Sequence, residues 1–252
     1  RFCSSLLLLC LLSYSTTVAA NSDDAKFGPN RLRTDKNVEL YHQNERGVPT
    51  YVTGELSAPA ARGAEFRTAI QFLEAQRGAF RIASPADEMV LRKQDVDLDG
   101  MSHLRIDQTY KGIKVIGGEL VAHFTADGVM RTINGHTEPD LDMDVTPALA
   151  ATSATDIAVQ DLKSFFGNGN PAEAELVVFP WEGTNYLCYR MFIYSDTPMG
   201  RWEYFVDAKT GAVVFKANRI MDTDAIGTGV NVMGQTRSHI DVDFTGSTYQ
   251  MK

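Results

Sequence analysis

The sequence predicts an α+β protein made of two small modules, each a helix packed on an antiparallel sheet, followed by a β-hairpin. Three observations predict this class. Residues 101–135 alternate polar and apolar side chains with a period of two, which is typical of half-buried strands. Residues 64–80 and 154–166 repeat apolar side chains at helical spacing. Residues 227–252 contain regularly placed glycines, as turns between short strands do.

Composition limits the kinds of partner. The 252 residues carry a formal net charge of −8, with 44% hydrophobic and 22% charged residues. A chain of this size can bury one or two cores of ordinary size. Nucleic acids and anionic membranes both require basic patches, so the acidic balance argues against either as a partner.

The first twenty residues differ from the rest. Arg1 precedes a short apolar run, Leu6–Leu12, and small residues at 18–20 match a signal-peptidase site. The run is too short to span a membrane. We therefore expect a signal peptide, residues 1–20, cut between Ala20 and Asn21, and a secreted protein with no membrane contact after that cut. Because position 1 is not Met, we expect the sequence to begin inside the signal.

Cysteine usage predicts no disulfide framework. Cys3 and Cys10 lie in the expected signal peptide, which leaves Cys188 alone in the exported part. Cys188 lies in an apolar run, so a small buried hydrophobic side chain is a better interpretation than a nucleophile.

The first module is expected to combine one helix with a sheet. A leader, residues 21–60, holds one predicted strand at residues 50–56. Apolar residues then recur at helical spacing over residues 64–80, and Pro85 prevents the helix from continuing much beyond Ile82. This helix has one apolar face, which the sheet that follows would cover.

In that sheet, Leu104 and Ile106 point to one face while the polar residues between them point to the other. Glycine-containing turns are expected at Lys111-Gly112 and Asp127-Gly128. Gly117-Gly118 is expected to be a further turn or a bulge.

The second module is expected to follow an acidic stretch with two prolines, residues 136–150, which is either a linker or an exposed crossing strand. Thr152-Ser153 is a candidate N-cap for a helix over Ala154–Phe166. Strands are then predicted at residues 175–179, 186–194, 202–206 and 212–215. A tight turn, Asp207–Gly211, joins the last two, with glycine where a positive φ is needed.

Residues that could carry chemistry are few. None of the five histidines, His42, His103, His123, His136 and His239, is followed by Glu, and no two are three or four positions apart. The H-E-x-x-H pattern of zinc proteases is therefore not present, and we predict neither catalytic nor metal-binding residues in this sequence.

Two weaker patterns leave alternatives open. Asp95–Gly100 matches the first half of a calcium loop, but Ile106 stands where a bidentate Glu is required, so an acidic turn is favoured. His103 with Asp107, and Glu119 with His123, share strand faces. They are solvated polar positions, or alternatively a metal or inhibitory site.

The aromatic residues also allow two interpretations. Trp181, Trp202 and the tyrosines either fill a core or, alternatively, form an exposed carbohydrate-binding platform. Their interleaving with β-branched residues favours the core.

The segment Gln108–Leu120, QTYKGIKVIGGEL, resembles the propeptide motif of fungalysin- and thermolysin-type proteases. Residues 204–214 resemble the closing hairpin of a PepSY domain. Residues 227–236 with 248–251 resemble the opening strands of a mature thermolysin-type protease. The resemblance implies a structural or inhibitory role for seven residues of the motif: Gln108, Tyr110, Gly112, Val115, Gly117, Gly118 and Glu119.

The resemblance implies the propeptide region of a secreted zinc metalloendopeptidase precursor, acting as intramolecular chaperone and inhibitor. Its partner would be its own catalytic domain, which acts on protein substrates and holds zinc, with calcium as a further candidate ion. A free-standing secreted inhibitor or binding module is the alternative.

The resemblance also implies the domain boundaries. After the leader come a fungalysin–thermolysin propeptide-type module (61–138), a PepSY-type module (139–218), a processing linker (219–226) and the truncated N-terminus of the protease domain (227–252). The predicted hairpin would be the first of that truncated domain. The residues expected at the processing site are Asp222, Thr223, Asp224 and Ala225.

Overall fold

A computed structural model describes residues 38–166, 170–171, 173–196, 199–220, 225–230, 233–244 and 249–251. The helices in these ranges are α1 (Glu65–Ala75), α2 (Arg77–Phe80), α3 (Pro85–Glu88) and α4 (Ala151–Phe166). The strands are β1 (Val38–Gln43), β2 (Pro49–Gly54), β3 (Met89–Val96), β4 (Ser102–Tyr110), β5 (Ile113–Phe124), β6 (Met130–His136), β7 (Asn170–Pro171), β8 (Glu175–Trp181), β9 (Thr184–Asp196), β10 (Met199–Asp207), β11 (Val213–Asn218), β12 (Ala225–Val230), β13 (Thr236–Phe244) and β14 (Tyr249–Met251). In these ranges, no helix is long and apolar enough to cross a membrane.

The predicted α+β class is confirmed, but one sheet runs through most of the chain. β1 to β11 form an eleven-stranded sheet, and β12 to β14 form a separate three-stranded sheet. All described pairs are antiparallel except β5 with β8, where Lys114 is opposite Val177 and Val115 is opposite Val178. The sequence did not predict this parallel pair, which joins the two halves of the larger sheet.

Helix α1 covers the first half of the sheet. Its buried residues Ala69, Phe72 and Leu73 recur at helical spacing, so they form one apolar face. The strand residues in the same core are Val52, Leu104, Ile106, Leu120, Ala122, Phe124, Met130 and Ile133.

The helix is shorter than predicted. It ends at Ala75, and α2 follows as a separate turn that includes Gly78, a poor helix former. The break directs Phe80 into the core, where its ring meets Phe72 edge to face with centroids 6.4 Å apart.

Helix α4 covers the second half through Ala154, Ala158 and Leu162, all at most 1% exposed. The strand residues beneath it are Leu187, Tyr189, Met191, Ile193, Tyr204 and Val206. The predicted N-cap at Thr152-Ser153 is wrong. The helix begins at Ala151, because the N–H of Ala154 already donates to the carbonyl of Ala150 at 3.1 Å.

The stretch between the halves forms no strand after His136, so the linker expected as one alternative is found and the exposed crossing strand is wrong. Part of this linker is buried: Thr137, Glu138, Pro139 and Leu141. The stretch lies against the sheet because β4 supplies polar partners for it.

The turns follow the glycine pattern except at one site. Lys111 and Gly112 both have positive φ, 50° and 80°, as a two-residue hairpin turn requires. Gly128 and Gly211 also adopt positive φ, 87° and 79°. Gly117-Gly118 is not a hairpin turn, because β5 continues through both residues. The alternative, a bulge, is confirmed by the register shift of β4 against β5 at this point.

Candidate functional site

Gln108 joins β4 to the stretch that links the two halves. Its side chain is fully buried; Nε2 donates to the carbonyl of Glu138 at 2.9 Å, and Oε1 accepts from the N–H of Glu138 at 2.8 Å. The side-chain amide of Gln108 therefore bonds the backbone of Glu138 as a neighbouring strand would. The carboxylate of Glu138 in turn accepts a hydrogen bond from Arg46 at 2.5 Å, which ties in the β1–β2 turn.

Gly118 provides the space for this amide. A Cβ at Gly118 would lie 2.8 Å from both Cβ and Oε1 of Gln108. The register of β4 against β5 shifts between Asp107 and Thr109, so Gln108 lies at a bulge. Gly117, with φ of 82°, accommodates the irregular backbone on the β5 side.

The remaining apolar residues of the motif fill the joint between the halves. Tyr110 and Val115 are 7% and 0% exposed and pack with Leu141 and Val178. The Tyr110 hydroxyl also accepts a hydrogen bond from the N–H of Met143 at 3.3 Å. These residues connect β4, β5, the linking stretch and β8. Their position supports a structural role; an inhibitory role for them stays a prediction.

Glu119 lies on the other side of the sheet, which we call the helix-free face: the face opposite α1 and α4. Its carboxylate accepts hydrogen bonds from Arg92 at 2.5 Å and Arg105 at 2.7 Å. Asp107 pairs with Arg92 at 3.3 Å and with Lys114 at 3.2 Å. These five residues form the ion-pair network of the helix-free face, in which each charge faces an opposite one.

His103 and His123 face each other across β4 and β5, with their Nδ1 atoms 2.8 Å apart. His103 Nε2 bonds Asp97 Oδ2 at 3.1 Å, and His123 Nε2 bonds Asn134 Oδ1 at 2.9 Å. The hydrogen bond with His103 lowers the pKa of Asp97. Burial lowers the pKa of His123, and so does the charge of His103.

The sequence analysis placed His103 with Asp107, and Glu119 with His123, on shared strand faces, and they do lie on shared faces. Their contacts run across the strands: the register pairs His103 with His123 and Asp107 with Glu119, and both carboxylates contact cations. Alternation shows the face of a residue but not its neighbour on the next strand, so these contacts could not be predicted.

Asp97 closes the acidic turn at residues 95–100. Its Oδ1 accepts the N–H groups of Asp99 and Met101 at 3.0 and 2.9 Å. The Asp97 carboxylate therefore stabilises the turn through hydrogen bonds to its backbone. Among the described residues, no group of three or more His, Cys, Asp or Glu could hold a metal ion.

A cluster of aromatic and arginine side chains on the second half of the helix-free face was not predicted. We call it the aromatic patch; it consists of Ile116, Phe179, Trp181, Phe192, Tyr194, Phe205 and Phe215, with Arg190, Arg201 and Arg219 around Glu203. Phe179 and Phe205 stack with centroids 3.8 Å apart, and Trp181 lies 4.7 Å from Phe215. β9 is apolar on both faces, so its period-two signal is weak. Aromatic residues at alternate positions of β9 were the available clue.

The two tryptophans do not form one platform. Trp181 belongs to the aromatic patch, whereas Trp202 packs on the opposite face with the α4 core. Cys188 is fully buried, and burial raises the pKa of its thiol to about 12, which fits the predicted hydrophobic role.

The predicted processing residues Ala20, Asn21, Asp222, Thr223 and Asp224 lie outside the described residues. Ala225 is described and begins β12, where it pairs with Val242 of β13.

Comparison with known proteins identifies the motif. The family model described as Fungalysin/Thermolysin Propeptide Motif matches residues 87–137, which include Gln108, Gly118 and the ion-pair network and end one residue before Glu138. The C-terminal domain of Bacillus megaterium YpeB aligns with a TM-score of 0.32 and 14% identity over 68% of this chain and 71% of that one.

Sequence relatives extend over most of the chain. Bacillolysin of Brevibacillus brevis is 30% identical over 84% of this chain and 41% of the relative. Thermostable neutral protease NprT of Geobacillus stearothermophilus is 30% identical over 74% and 36%. Thermolysin of Alicyclobacillus acidocaldarius is 29% identical over 75% and 38%, so the chain spans about two fifths of these relatives. Over most of its length the chain is similar to thermolysin-family proteins, in a propeptide region and the start of the mature domain.

Proposed function

We propose that this chain is the propeptide region of a secreted thermolysin-like zinc metalloendopeptidase precursor. It assists the folding of its own catalytic domain, inhibits that domain and is removed by proteolysis. The match of residues 87–137 to the propeptide motif supports this proposal most directly. The buried joint of Gln108, Glu138 and Gly118 explains why the motif needs glutamine and glycine at these positions. In this proposal the joint holds the two halves of the sheet in one arrangement.

The proposal includes a division of the chain. A signal peptide (1–20) and leader (21–60) precede a propeptide-motif module (61–138) and a PepSY-type module (139–218). A linker (219–226) then leads to the first residues of the protease domain (227–252). Two observations support this division: α1 and α4 each cover a separate core, and β12 to β14 form a sheet of their own.

Tethering makes moderate affinity sufficient for inhibition. A covalently linked inhibitor is present at an effective concentration on the order of millimolar, so micromolar intrinsic affinity leaves about a thousandth of the enzyme free. Once the linker is cut, the pieces dilute and separate. Cleavage of a single segment can therefore activate the enzyme.

Metal chemistry belongs to the parent catalytic domain in this proposal. The catalytic domain would hold zinc, with calcium as a further ion, and that domain would hydrolyse protein substrates. The described residues contain no cluster that fits either ion, so we assign them no catalytic step.

Inhibition in trans tests the proposal. The 252-residue chain is added to mature NprT of Geobacillus stearothermophilus, and hydrolysis of a peptide substrate is measured. We expect inhibition at micromolar concentrations. Full activity at a hundredfold molar excess of the chain would contradict an inhibitory role.

A free-standing inhibitor would also inhibit, so the coding sequence beyond Lys252 separates the two functions. H-E-x-x-H with a Glu about twenty residues later supports the precursor. A stop codon directly after Lys252 supports the free-standing inhibitor.

A further inference from the structure

The aromatic patch has an open, apolar floor. Phe179 and Phe205 form its base at 6% and 2% exposure, while Tyr194 at its margin is 49% exposed. Trp181, Phe192 and Phe215 are partly exposed around them, and the surface encloses a concavity of about 480 Å³. In the described part of the chain, α4 packs on the other face of these strands, so no helix covers the patch.

Arginines lie over the aromatic rings in fixed positions. The guanidinium of Arg201 lies 4.1 Å from the ring centroid of Phe192, and that of Arg219 lies 5.9 Å from Phe215. Glu203, whose side chain is 4% exposed, accepts hydrogen bonds from Arg190 at 2.7 Å and Arg219 at 2.6 Å. The buried carboxylate therefore orients two arginines before any partner arrives, which lowers the entropic cost of binding.

Composition distinguishes the patch from the rest of the same face. Arginine and large aromatic side chains are enriched among residues that dominate binding energy in protein interfaces. The ion-pair network on the first half of the face pairs Arg92, Arg105 and Lys114 with Asp107 and Glu119, and none of these five residues is aromatic. The patch also holds three arginines and two carboxylates: Glu203 pairs with Arg190 and Arg219, and Glu175 lies 4.0 Å from Arg190. Its difference from the network is that its arginines lie among aromatic rings. It is a locally positive surface on a chain of net charge −8.

The course of the chain identifies the occupant. β11 contributes Phe215 to the patch, and Arg219 follows directly after that strand. Ala225, which begins the separate β12–β14 sheet, is six residues after Arg219, so the two are at most about 21 Å apart. The domain that starts with β12 is thus tethered at the edge of the patch.

We propose that the aromatic patch is the surface that docks onto the catalytic domain. Apolar side chains of that domain fill the concavity, and its carboxylates meet Arg190, Arg201 and Arg219. This inference rests on the proposed function, since it names the surface through which inhibition occurs.

Two exposed substitutions test the patch with little risk to the fold. Arg201→Glu reverses a charge, and Tyr194→Ser removes an exposed ring. Arg67→Glu makes the same charge reversal on the exposed side of α1, away from the patch, and serves as the control. Each 252-residue variant is titrated against mature NprT for inhibition, and its thermal unfolding and oligomeric state are measured.

We expect Arg201→Glu and Tyr194→Ser each to raise the inhibition constant at least about tenfold, because such residues dominate interface energies. Arg67→Glu should stay within about twofold of the unchanged chain. Equal inhibition by all variants, or equal weakening by all three, would refute docking through the patch. Dimerisation of the chain that only the patch substitutions abolish would assign the patch to a second copy. If the unchanged chain does not inhibit, the proposed function itself fails.

Discussion

Gly118 lies directly against Gln108, and a Cβ on Gly118 would approach Cβ and Oε1 of Gln108 to 2.8 Å. The glycine and the glutamine ten residues earlier are therefore one structural unit, although they belong to different strands. The glutamine needs this space because its amide bonds both backbone groups of Glu138. A conformational effect of glycine is not involved at position 118, since only Gly117 of the pair has positive φ.

Replacing Gln108 with Leu should destabilise the protein by about 2–6 kcal/mol. The substitution keeps an apolar body but leaves the N–H and C=O of Glu138 buried without partners, and each such group costs about 1–3 kcal/mol. Urea unfolding measures the loss. Gln71→Leu on the exposed side of α1 is the matched control and should change stability by less than about 0.5 kcal/mol. Equal effects of the two substitutions would contradict the role of the amide.

Replacing Gly118 with Ala should cost about 1–3 kcal/mol, because Gln108 must move away from Glu138 to make room. Gly112→Ala provides a comparison in which the cause differs. Nothing lies within 4 Å of a Cβ at Gly112, but its φ is 80°, so backbone strain of about 1 kcal/mol is expected there. In hydrogen exchange, Gly118→Ala should expose the Glu138 amide, and Gly112→Ala should leave it protected.

Tyr204→Phe should destabilise the second core by about 1–2 kcal/mol. The buried hydroxyl donates to Asp161 of α4 at 2.8 Å, and the same carboxylate binds Lys216 at 2.8 Å. Burial and the bond to Asp161 also raise the pKa of Tyr204. Tyr194→Phe is the control, since its ring is 49% exposed, and should be nearly neutral in chemical unfolding. A neutral Tyr204→Phe would show that the helix does not depend on this bond.

The histidine pair should make stability depend on pH in the mildly acidic range. The contact between the Nδ1 atoms needs one ring to accept a hydrogen bond, and a protonated imidazole has no acceptor nitrogen. Burial lowers the pKa of His123 below its ordinary 6.5. Because the pKa of His123 is lower in the folded protein than in the unfolded chain, neutral His123 contributes to folded-state stability above pH 6.5. This contribution is lost as the pH falls through the folded-state pKa.

The other charged groups near the histidine pair either titrate in a different pH range or keep their charge between about pH 7 and pH 5. Asp97 contacts His103, Asp95 is opposite His103 on β3, and Arg105 lies next along β4. The pKa of Asp97 is lowered from 3.8, so its contribution is lost only in more acidic solution.

His123→Gln should therefore flatten the loss of unfolding free energy between about pH 7 and pH 5. His42→Gln, which removes an exposed histidine on β1, is the control and should keep the slope. An unchanged slope in His123→Gln would assign the pH dependence to other groups.

Alternation and turn residues predicted most strands and the two main helices, because both signals are local. They did not predict the β5–β8 pair, since a period of two shows which face a residue occupies but not which strand lies beside it. The motif residues were identified from their pattern, yet the partner of Gln108 lies thirty positions later, in a stretch without periodicity. The aromatic patch was missed because β9 is apolar on both faces, which hides the two-residue period.

Cleavage of the linker should fall between the two described strands that flank it. β11 ends at Asn218, and β12 begins at Ala225, which pairs with Val242. A protease binds an extended backbone whose N–H and C=O groups are free, so paired strands resist cutting. We therefore expect the new N-terminus within the predicted window Asn218–Ile226, at a residue between the paired Asn218 and the paired Ile226. Amino-terminal sequencing of the secreted product measures it, and a start upstream of Ala212 or beyond Gly229 would overturn the boundary.

Thr223→Pro should slow release of the propeptide region, whereas Lys209→Pro in the preceding turn should not move the cleavage site.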